Sequence, residues 1–259
     1  MQGIAPLLLR SHSARMEWRD EGVLLSMRLH GESAAIIEVF TAAHGRHLGV
    51  VRGGGSRRMA AVLQPGTQVQ VSWQARLDEH LGNFTVEPLG SRATILSDRL
   101  ALAGLNAMAA LLHLALPERD PHLALWRASV GLMDLLASGA DWPGEYLWWE
   151  LGLLDEIGFG LDLARCAVTG SREDLCYVSP RTGRAVSRAG AGEWASRLLA
   201  LPQALQMKGP VSRAEVAAGL ALTGYFLQRG LAPVLGDRPM PEARARLISA
   251  LARPAPPAQ

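Results

Sequence analysis

Short runs rich in valine, isoleucine and aromatic residues fill the region between residues 17 and 90. They are Val23–Leu29, Ala34–Phe40, Leu48–Val51, Val69–Trp73 and Phe84–Glu87. Glycine-rich turns such as Gly53–Gly55 separate these runs, which is typical of β-strands. Five short strands within about 75 residues predict a small closed β-barrel, and the OB type fits. An SH3-like barrel would give a similar pattern, so the periodicity alone predicts only a small barrel.

The spacing of apolar residues changes to the helical period after residue 92. Helices are predicted at residues 98–116, Pro121–Leu136, Trp142–Ile157, Glu193–Leu199, Arg213–Gln228 and Glu242–Leu251. Residues 163–188 differ, because they are rich in turns and arginine and poor in apolar period. We therefore expect an α+β protein with a flexible extension (1–15), a barrel domain (16–92), a helical domain (93–252) and a disordered tail (253–259).

Charge is distributed unevenly along the chain. The net charge is only +2, yet residues 1–92 carry +2, residues 93–162 carry −7 and residues 163–259 carry +7. Such segregation indicates partner surfaces rather than a fold. Of the 26 basic residues only Lys208 is a lysine, and arginine is the better side chain for binding phosphate and stacking on bases.

Several classes of protein and site are excluded or disfavoured by the composition and motifs. Two cysteines exclude a disulfide scaffold and favour a reducing compartment, and no apolar run has the length of a membrane span. The chain lacks GxSxG, HExxH, GxGxxG and the P-loop pattern. We therefore expect a cytoplasmic protein without enzymatic activity or cofactor.

The segment from His44 to Arg58, HGRHLGVVRGGGSRR, is the strongest candidate site. It holds four arginines, and no acidic residue occurs between Val39 and Leu77. Glycines leave backbone N–H groups free to meet an anion, so a glycine-rich loop with arginines suits a nucleic-acid backbone. An ordinary solvated loop is the alternative.

Three other groups have a simpler interpretation. His44 and His47 lack nearby partners for a metal site, so a role in a loop or strand edge is favoured. The aromatic cluster Trp142, Tyr146, Trp148 and Trp149 has helical spacing in an acidic stretch, which favours core packing. Cys166 and Cys176 lack the two CxxC pairs of a structural zinc site.

Five stretches, in order and spacing, give the chain a resemblance to a known family. They are MEWRDEGVLLSMRLHGESAAIIEVFT from Met16, GRHLGVVRGGGSRR from Gly45, LQPGTQVQVSWQAR from Leu63, EYLWWELGLLDEIGFGLDLARCAVTG from Glu145, and YVSPRTGRAVS from Tyr177. In these stretches the chain resembles the RecO family of bacterial recombination mediators and DNA-repair proteins.

The resemblance implies an N-terminal OB-fold and a helical C-terminal domain with an embedded zinc-finger-like hairpin at 163–188. Relatives that bind zinc have CxxC where this chain has Cys166 and Thr169, and a second pair near 185–188 is missing. We therefore expect no metal.

The resemblance also implies a function in the RecF pathway of DNA repair. Such proteins bind single- and double-stranded DNA, anneal complementary strands and, with RecR, help to load RecA on strands coated by the single-stranded DNA-binding protein SSB. The predicted DNA-binding residues are Arg28, Arg46, Arg52, Arg57, Arg58 and Arg76. A second basic surface, for DNA or for the acidic tail of SSB, is predicted at Arg181, Arg184, Arg188 and Arg197. The alternative is an OB-fold adaptor that binds RNA or protein in a transcription or translation assembly.

Overall fold

A closed five-stranded barrel forms the N-terminal part of the computed structural model, which describes residues 16–207, 209–236 and 239–253. Its strands are β1 (Met16–His30), β2 (Ala34–Thr41), β3 (Gly45–Val51), β4 (Gln68–Ala75) and β5 (Asn83–Gly90). They close in the order β1-β2-β3-β5-β4. A short helix, α1 (Arg57–Val62), connects β3 to β4. The predicted small barrel is thus confirmed, and its assignment to the OB type stays a prediction.

Alternating side chains fill the barrel. Ile37, Val39, Val71 and Trp73 are fully buried in its interior. The opposite faces of β1 and β2 are apolar as well, and Val23, Leu25 and Phe40 belong to the core of the helical part. This second apolar face explains why nearly all of β2 is buried rather than alternating.

Within the described residues, the helical part contains five longer α-helices and one short one. They are α2 (Arg99–Ala115), α3 (Leu123–Ser138), α4 (Pro143–Glu156), α5 (Arg188–Ala191), α6 (Arg213–Leu235) and α7 (Glu242–Leu251). Asp98 caps α2 by accepting from the backbone N–H groups of Leu100 and Ala101, as the sequence predicts. Gly139 ends α3 with φ +73°, a conformation that favours glycine. Trp142, Tyr146 and Trp149 lie in the core, which confirms their packing role, whereas Trp148 is only half-buried and lines a groove beside α3.

A buried ion pair holds three of these helices together. Arg244 of α7 donates from Nε and Nη2 to Glu150 of α4 at 2.9 Å for both bonds. Thr223 of α6 donates to the same carboxylate at 2.6 Å. Glu150 is completely buried and Arg244 almost so, and paired hydrogen bonds of this kind are what a buried charge requires.

A second buried ion pair joins the barrel to the helices. Arg46 of β3 donates from Nη1 to Glu38 of β2 at 2.5 Å and from Nε to the carbonyl oxygen of Leu116 at 3.1 Å. His113 of α2 lies 3.0 Å from both oxygens of Glu38. The Arg46 and Glu38 side chains are 9% and 3% exposed. The contact therefore fixes the outer face of the barrel against α2.

The loop between α2 and α3 packs directly on the start of β3. The N–H group of Arg119 donates to the carbonyl oxygen of Arg46 at 2.8 Å. Gly45 has φ +64°, and a Cβ there would come within 2.0 Å of the carbonyl oxygen of Asp120. Glycine is thus required at 45 by both conformation and space.

A small three-stranded sheet occupies part of the region that lacks apolar period. Its strands are β6 (Leu175–Val178), β7 (Ala185–Ser187) and β8 (Leu199–Ala200), with β6 in the centre. The helix predicted at Glu193–Leu199 is wrong: Gly192–Arg197 forms a 3₁₀ turn, and Leu199 pairs with Val178. Strand pairing with β6 overrides the helical spacing there.

The remaining predictions differ from the structure mainly in length. Helix α6 continues to Leu235, beyond Gly230 and Pro233, and the sequence pattern missed α1. The predicted extension (1–15) lies outside the described residues, as does all of the predicted tail except Arg253. Over the described ranges, no helix has the length and apolarity needed to cross a membrane.

The buried contact of Arg46 with Glu38, between the barrel and the helices, predicts a large effect of Arg46→Met on stability. This change leaves the Glu38 carboxylate buried without its main partner, so the free energy of unfolding should fall by about 3–5 kcal/mol. Chemical denaturation measures this change. The double variant Glu38→Leu with Arg46→Met should recover part of the loss, whereas exposed Arg52→Met should change stability by less than about 0.5 kcal/mol. Equal effects of Arg46→Met and Arg52→Met would contradict the structural role of Arg46.

Candidate nucleic-acid interface

A groove of about 560 Å³ opens on the barrel where β3 and β5 diverge. The register of these two strands pairs one position, Val50 with Asn83, so little backbone pairing closes the barrel there. The groove is lined by the ends of β3 and β4, the start of β5 and α1: Val51, Arg52, Met59, Gln74, Ala75, Arg76, Asn83, Phe84, Thr85 and Val86. Its polar lining combines amides and two arginines, which suits the backbone of a single nucleic-acid strand, whereas Phe84 is 4% exposed and packs on the barrel's own rings.

Four predicted arginines lie at or beside this groove. Arg52 and Arg76 line it, although 24 positions separate them in the sequence. Arg57 and Arg58 open α1, whose Met59 also lines the groove. All four are exposed, and among the described residues none of them has a carboxylate within 4.0 Å. Their guanidinium groups are therefore free to meet phosphates.

The glycine loop before α1 is held by the β1–β2 turn. The N–H group of Gly55 donates to the carbonyl oxygen of Ser33 at 3.0 Å, and that of Gly54 to Val51 at 3.1 Å. A Cβ at Gly54 would lie 2.7 Å from the Cβ of Ala35. The loop is thus an ordered turn that presents Arg57 and Arg58, rather than a free coil.

Two other predicted residues lie elsewhere. Arg28 is exposed but pairs with Ile36 in the strand register, on the opposite side of β1 from Met27, which packs against the barrel interior. Arg46 was predicted to bind DNA, and the structure contradicts this because its guanidinium is buried against Glu38. Arg46 and Glu38 lie on neighbouring predicted strands rich in apolar residues, and this sequence signal could have indicated a buried ion pair.

Five aromatic rings close one end of the barrel. Trp18 stacks on His44 with 4.0 Å between ring centroids, and His47 lies 5.0 Å from Trp18, 4.8 Å from Trp73 and 5.9 Å from Phe84. Neither ring nitrogen of His47 has a hydrogen-bond partner. Burial, reinforced by the charge of Arg119, lowers the pKa of His47 to about 4. His47 is therefore a neutral core residue.

The predicted second basic surface lies around the small sheet. Arg181 and Arg197 are exposed, and no carboxylate of the described residues lies within 4.0 Å of either. Arg184 pairs with Asp162 at 3.3 Å and Arg188 with Asp174 at 3.5 Å, both on the surface. Exposed pairs of this kind contribute little energy, so these arginines remain accessible to an anionic partner.

Comparison with known proteins agrees with this architecture. The family of recombination protein O N-terminal domains matches residues 16–92, and that of recombination protein O C-terminal domains matches residues 96–239. The chain belongs to the recombination protein O (RecO) family. It is 67% identical over 238 residues to the DNA repair protein RecO of Cereibacter sphaeroides strain KD131, covering 92% of this chain and 99% of the relative.

More distant relatives match over the same share of the chain. The DNA repair protein RecO of Ruegeria sp. strain TM1040 is 58% identical over 239 residues, covering 92% of this chain and 99% of the relative. That of Jannaschia sp. strain CCS1 is 54% identical over 242 residues, covering 92% and 97%.

The zinc site that the RecO resemblance suggests does not fit the residues present. Cys166 Sγ accepts hydrogen bonds from Ser187 Oγ at 3.3 Å and from the N–H groups of Ser187 at 3.2 Å and Thr169 at 3.4 Å. Gly190 fills the remaining side, where a Cβ would lie 2.8 Å from Sγ. The site offers one sulfur and two hydroxyl groups, whereas structural zinc is held by four nitrogen or sulfur ligands.

The other cysteine, Cys176, lies on β6 of the β6–β7 hairpin. Cys176 Sγ donates to Asp174 at 3.0 Å and accepts from Arg188 at 3.5 Å. In the described part of the chain, no three His, Cys, Asp or Glu residues are grouped to hold a metal. Burial opposes ionisation of Cys166, but the bonds from Ser187 and Thr169 outweigh it and lower its pKa to about 6.

The buried histidine predicts that stability depends on pH. The pKa of His47 is about 4 when folded and near 6.5 when unfolded, so the unfolded state binds the extra proton between these values. Stability is full above about pH 6.5 and should fall by about 2 kcal/mol between pH 7 and pH 5. Denaturation of His47→Met should show this slope removed, with exposed His30→Gln as the unchanged control. An unaltered slope in His47→Met would contradict the assignment.

The hairpin predicts a metal-free protein that depends on Ser187. Mass spectrometry of the purified chain should find no stoichiometric zinc. Ser187→Ala removes a hydroxyl donor to Cys166 Sγ, so it should raise the pKa of Cys166 and lower the free energy of unfolding by about 1 kcal/mol. Exposed Thr182→Ala in the hairpin turn is the control. One tightly bound zinc per chain would overturn this interpretation.

Proposed function

We propose that this chain is a DNA-repair protein that acts as a non-enzymatic recombination mediator. It binds single- and double-stranded DNA, anneals complementary strands and, with RecR, helps to load RecA on SSB-coated DNA in the RecF pathway, in the cytoplasm at the nucleoid. Membership of the RecO family supports DNA repair, and the relatives carry that function in their names. The chemistry of the surfaces supports DNA binding and annealing, whereas the steps with RecR, RecA and SSB rest on the resemblance to the family.

The observation that carries the proposal is the set of four unpaired arginines at the barrel groove. Elsewhere on the barrel, Arg19 pairs with Glu87 and Arg46 with Glu38, and the exposed Arg28 lies apart from the groove. At the groove Arg52, Arg57, Arg58 and Arg76 are exposed without an acidic partner among the described residues. Four like charges around one groove repel each other, and a phosphate backbone relieves that repulsion.

Annealing needs little more than this charge. Two complementary strands repel each other, and a protein that screens their phosphates while leaving the base edges free lets them pair. The groove is open and has an apolar floor of Val51, Phe84 and Val86, with no deep pocket to hold a base. No bond is made or broken, so such a surface requires no catalytic group.

The barrel is proposed to be of the OB type, with domain boundaries at 92 and 252. An adaptor that binds RNA or protein is the alternative from a different class. Equal affinity for RNA and DNA, without strand annealing, would favour that alternative. The family match favours DNA.

Charge reversal at α1 tests the groove. If the four arginines engage a single strand, the logarithm of affinity should fall with the logarithm of salt concentration at a slope of about −2.8. Arg57→Glu with Arg58→Glu should weaken binding to an oligonucleotide strongly and reduce the slope by about 1.4. Fluorescence anisotropy across a salt series measures both quantities.

The matched control carries the same change of charge elsewhere. Arg99→Glu with Arg127→Glu places it on exposed positions of α2 and α3. This control should keep most of the affinity and the slope. Equal losses in the two double variants would mean that only net charge matters and would remove the groove from the site.

A further inference from the structure

Trp194 is the one exposed tryptophan of the seven in the chain, all of which lie in the described residues. It is 54% exposed and sits on the 3₁₀ turn Gly192–Arg197. An exposed indole offers a large apolar face on which a partner can stack. Trp194 neither belongs to the hydrophobic core nor lines the barrel groove.

Arg197 orients this ring. Its guanidinium carbon lies 4.9 Å from the centroid of the Trp194 ring. Residues three apart are eclipsed in a 3₁₀ turn, so the two side chains share one face of it. The cation covers one part of the indole while more than half of the residue remains open. The result is an aromatic platform beside a positive charge.

Strand pairing brings further arginines to the same end of the small sheet. Val178 of β6 pairs with Ala185 on one side and with Leu199 on the other. The turn with Arg181 and Arg184 and the approach to β8 with Arg197 therefore lie at one end of the sheet. Strands are spaced by about 4.8 Å, so the backbones of Ala185 and Leu199, which lie one and two residues from Arg184 and Arg197, are about 10 Å apart.

The turn itself is held in place from α6. Arg229 donates from Nη1 to the carbonyl oxygens of Pro180 and Arg181, the latter at 3.1 Å. No carboxylate of the described residues lies within 4.0 Å of the Arg181 side chain. Arg184 forms an exposed ion pair with Asp162. We call Trp194, Arg197, Arg181 and Arg184 the hairpin-end surface.

We propose that the hairpin-end surface is a second binding site for single-stranded nucleic acid, with Trp194 stacking on an unpaired base and the arginines contacting phosphates. The proposal rests on the proposed function and adds to it a separate site for a strand. Stacking on an aromatic ring needs no particular base, which suits annealing of any sequence.

An acidic peptide is the competing class of partner, and the ring argues against it. The face of an indole carries negative electrostatic potential, so it attracts cations and stacks on bases but does not attract carboxylates. A peptide would use the arginines and leave Trp194 without a role. A nucleic-acid strand uses both, because its bases and phosphates alternate along the chain.

The test uses the full chain with Arg57→Glu and Arg58→Glu already present, so that binding through the barrel groove is suppressed. In this background Trp194→Leu should weaken binding to a single-stranded oligonucleotide about tenfold, and Trp194→Phe should lose less than about threefold. Binding to duplex DNA should not change, because paired bases cannot stack on the ring. Tyr225→Leu, an exposed aromatic on α6, is the control and should leave both affinities unchanged.

A direct readout accompanies the affinities. An oligonucleotide containing 5-bromouracil, irradiated with the otherwise unchanged chain, should crosslink to the peptide that contains Trp194. Unchanged single-strand affinity in Trp194→Leu, or equal losses for single and double strands, would overturn the proposal. Binding of a polyglutamate peptide that Arg181→Gln with Arg197→Gln abolishes, with oligonucleotide affinity intact, would overturn it in favour of an acidic peptide.

These outcomes differ from failure of the proposed function. If the wild-type chain binds no DNA, the proposed function itself fails. If the wild-type chain binds DNA through Arg57 and Arg58 while Trp194→Leu has no effect, only the second site is wrong.

Discussion

The ion pair between Glu38 and Arg46 determines how the two parts of this molecule are arranged. It lies where β2 and β3 turn their outer faces to α2, and Arg46 also donates to the carbonyl oxygen of Leu116. The adjoining loop adds Arg119, whose side chain donates to the carbonyl oxygens of Asp78 and His80 in the β4–β5 loop. One end of β3 and the loop beside the groove are thereby fixed to the helical part. Because this face is occupied, the proposed nucleic-acid site of the barrel lies on the open side, where β3 leaves β5.

Arginine has two distinct uses in this chain, and its abundance hides the difference. Buried arginines such as Arg46 and Arg244 satisfy carboxylates within the core. Exposed arginines at the barrel groove and at Arg181 and Arg197 have no such partner among the described residues. Desolvating a charge without a partner is costly, whereas an exposed one is available to a phosphate. Exposure and the lack of a carboxylate partner, together with position around one groove, therefore single out the proposed binding surface.

The sequence predicted those features that depend on local chemistry. Short runs rich in valine, isoleucine and aromatic residues predicted the five strands, and helical spacing predicted α2 and α6 close to their observed starts, where Asp98 and Ser212 are the N-caps. The sequence could not show that both faces of β2 are buried, because burial of the outer face depends on contact with distant helices. Arg46 was misassigned for that reason. Arg52 and Arg76 line the same groove, and Leu199 pairs with Val178, because of the register of the strands. The sequence pattern does not determine that register. Exposure of Trp194 has no local signal at all.

Charge at one groove, rather than any bond chemistry, is proposed to bring complementary strands together. A strand-annealing assay on SSB-coated oligonucleotides, comparing the wild-type chain with a variant in which Arg52, Arg57, Arg58 and Arg76 are all replaced by glutamine, tests this most directly. The wild-type chain should accelerate annealing without a nucleotide or metal cofactor, and the variant, folded to the same stability, should not. Equal acceleration by both proteins would contradict the claim.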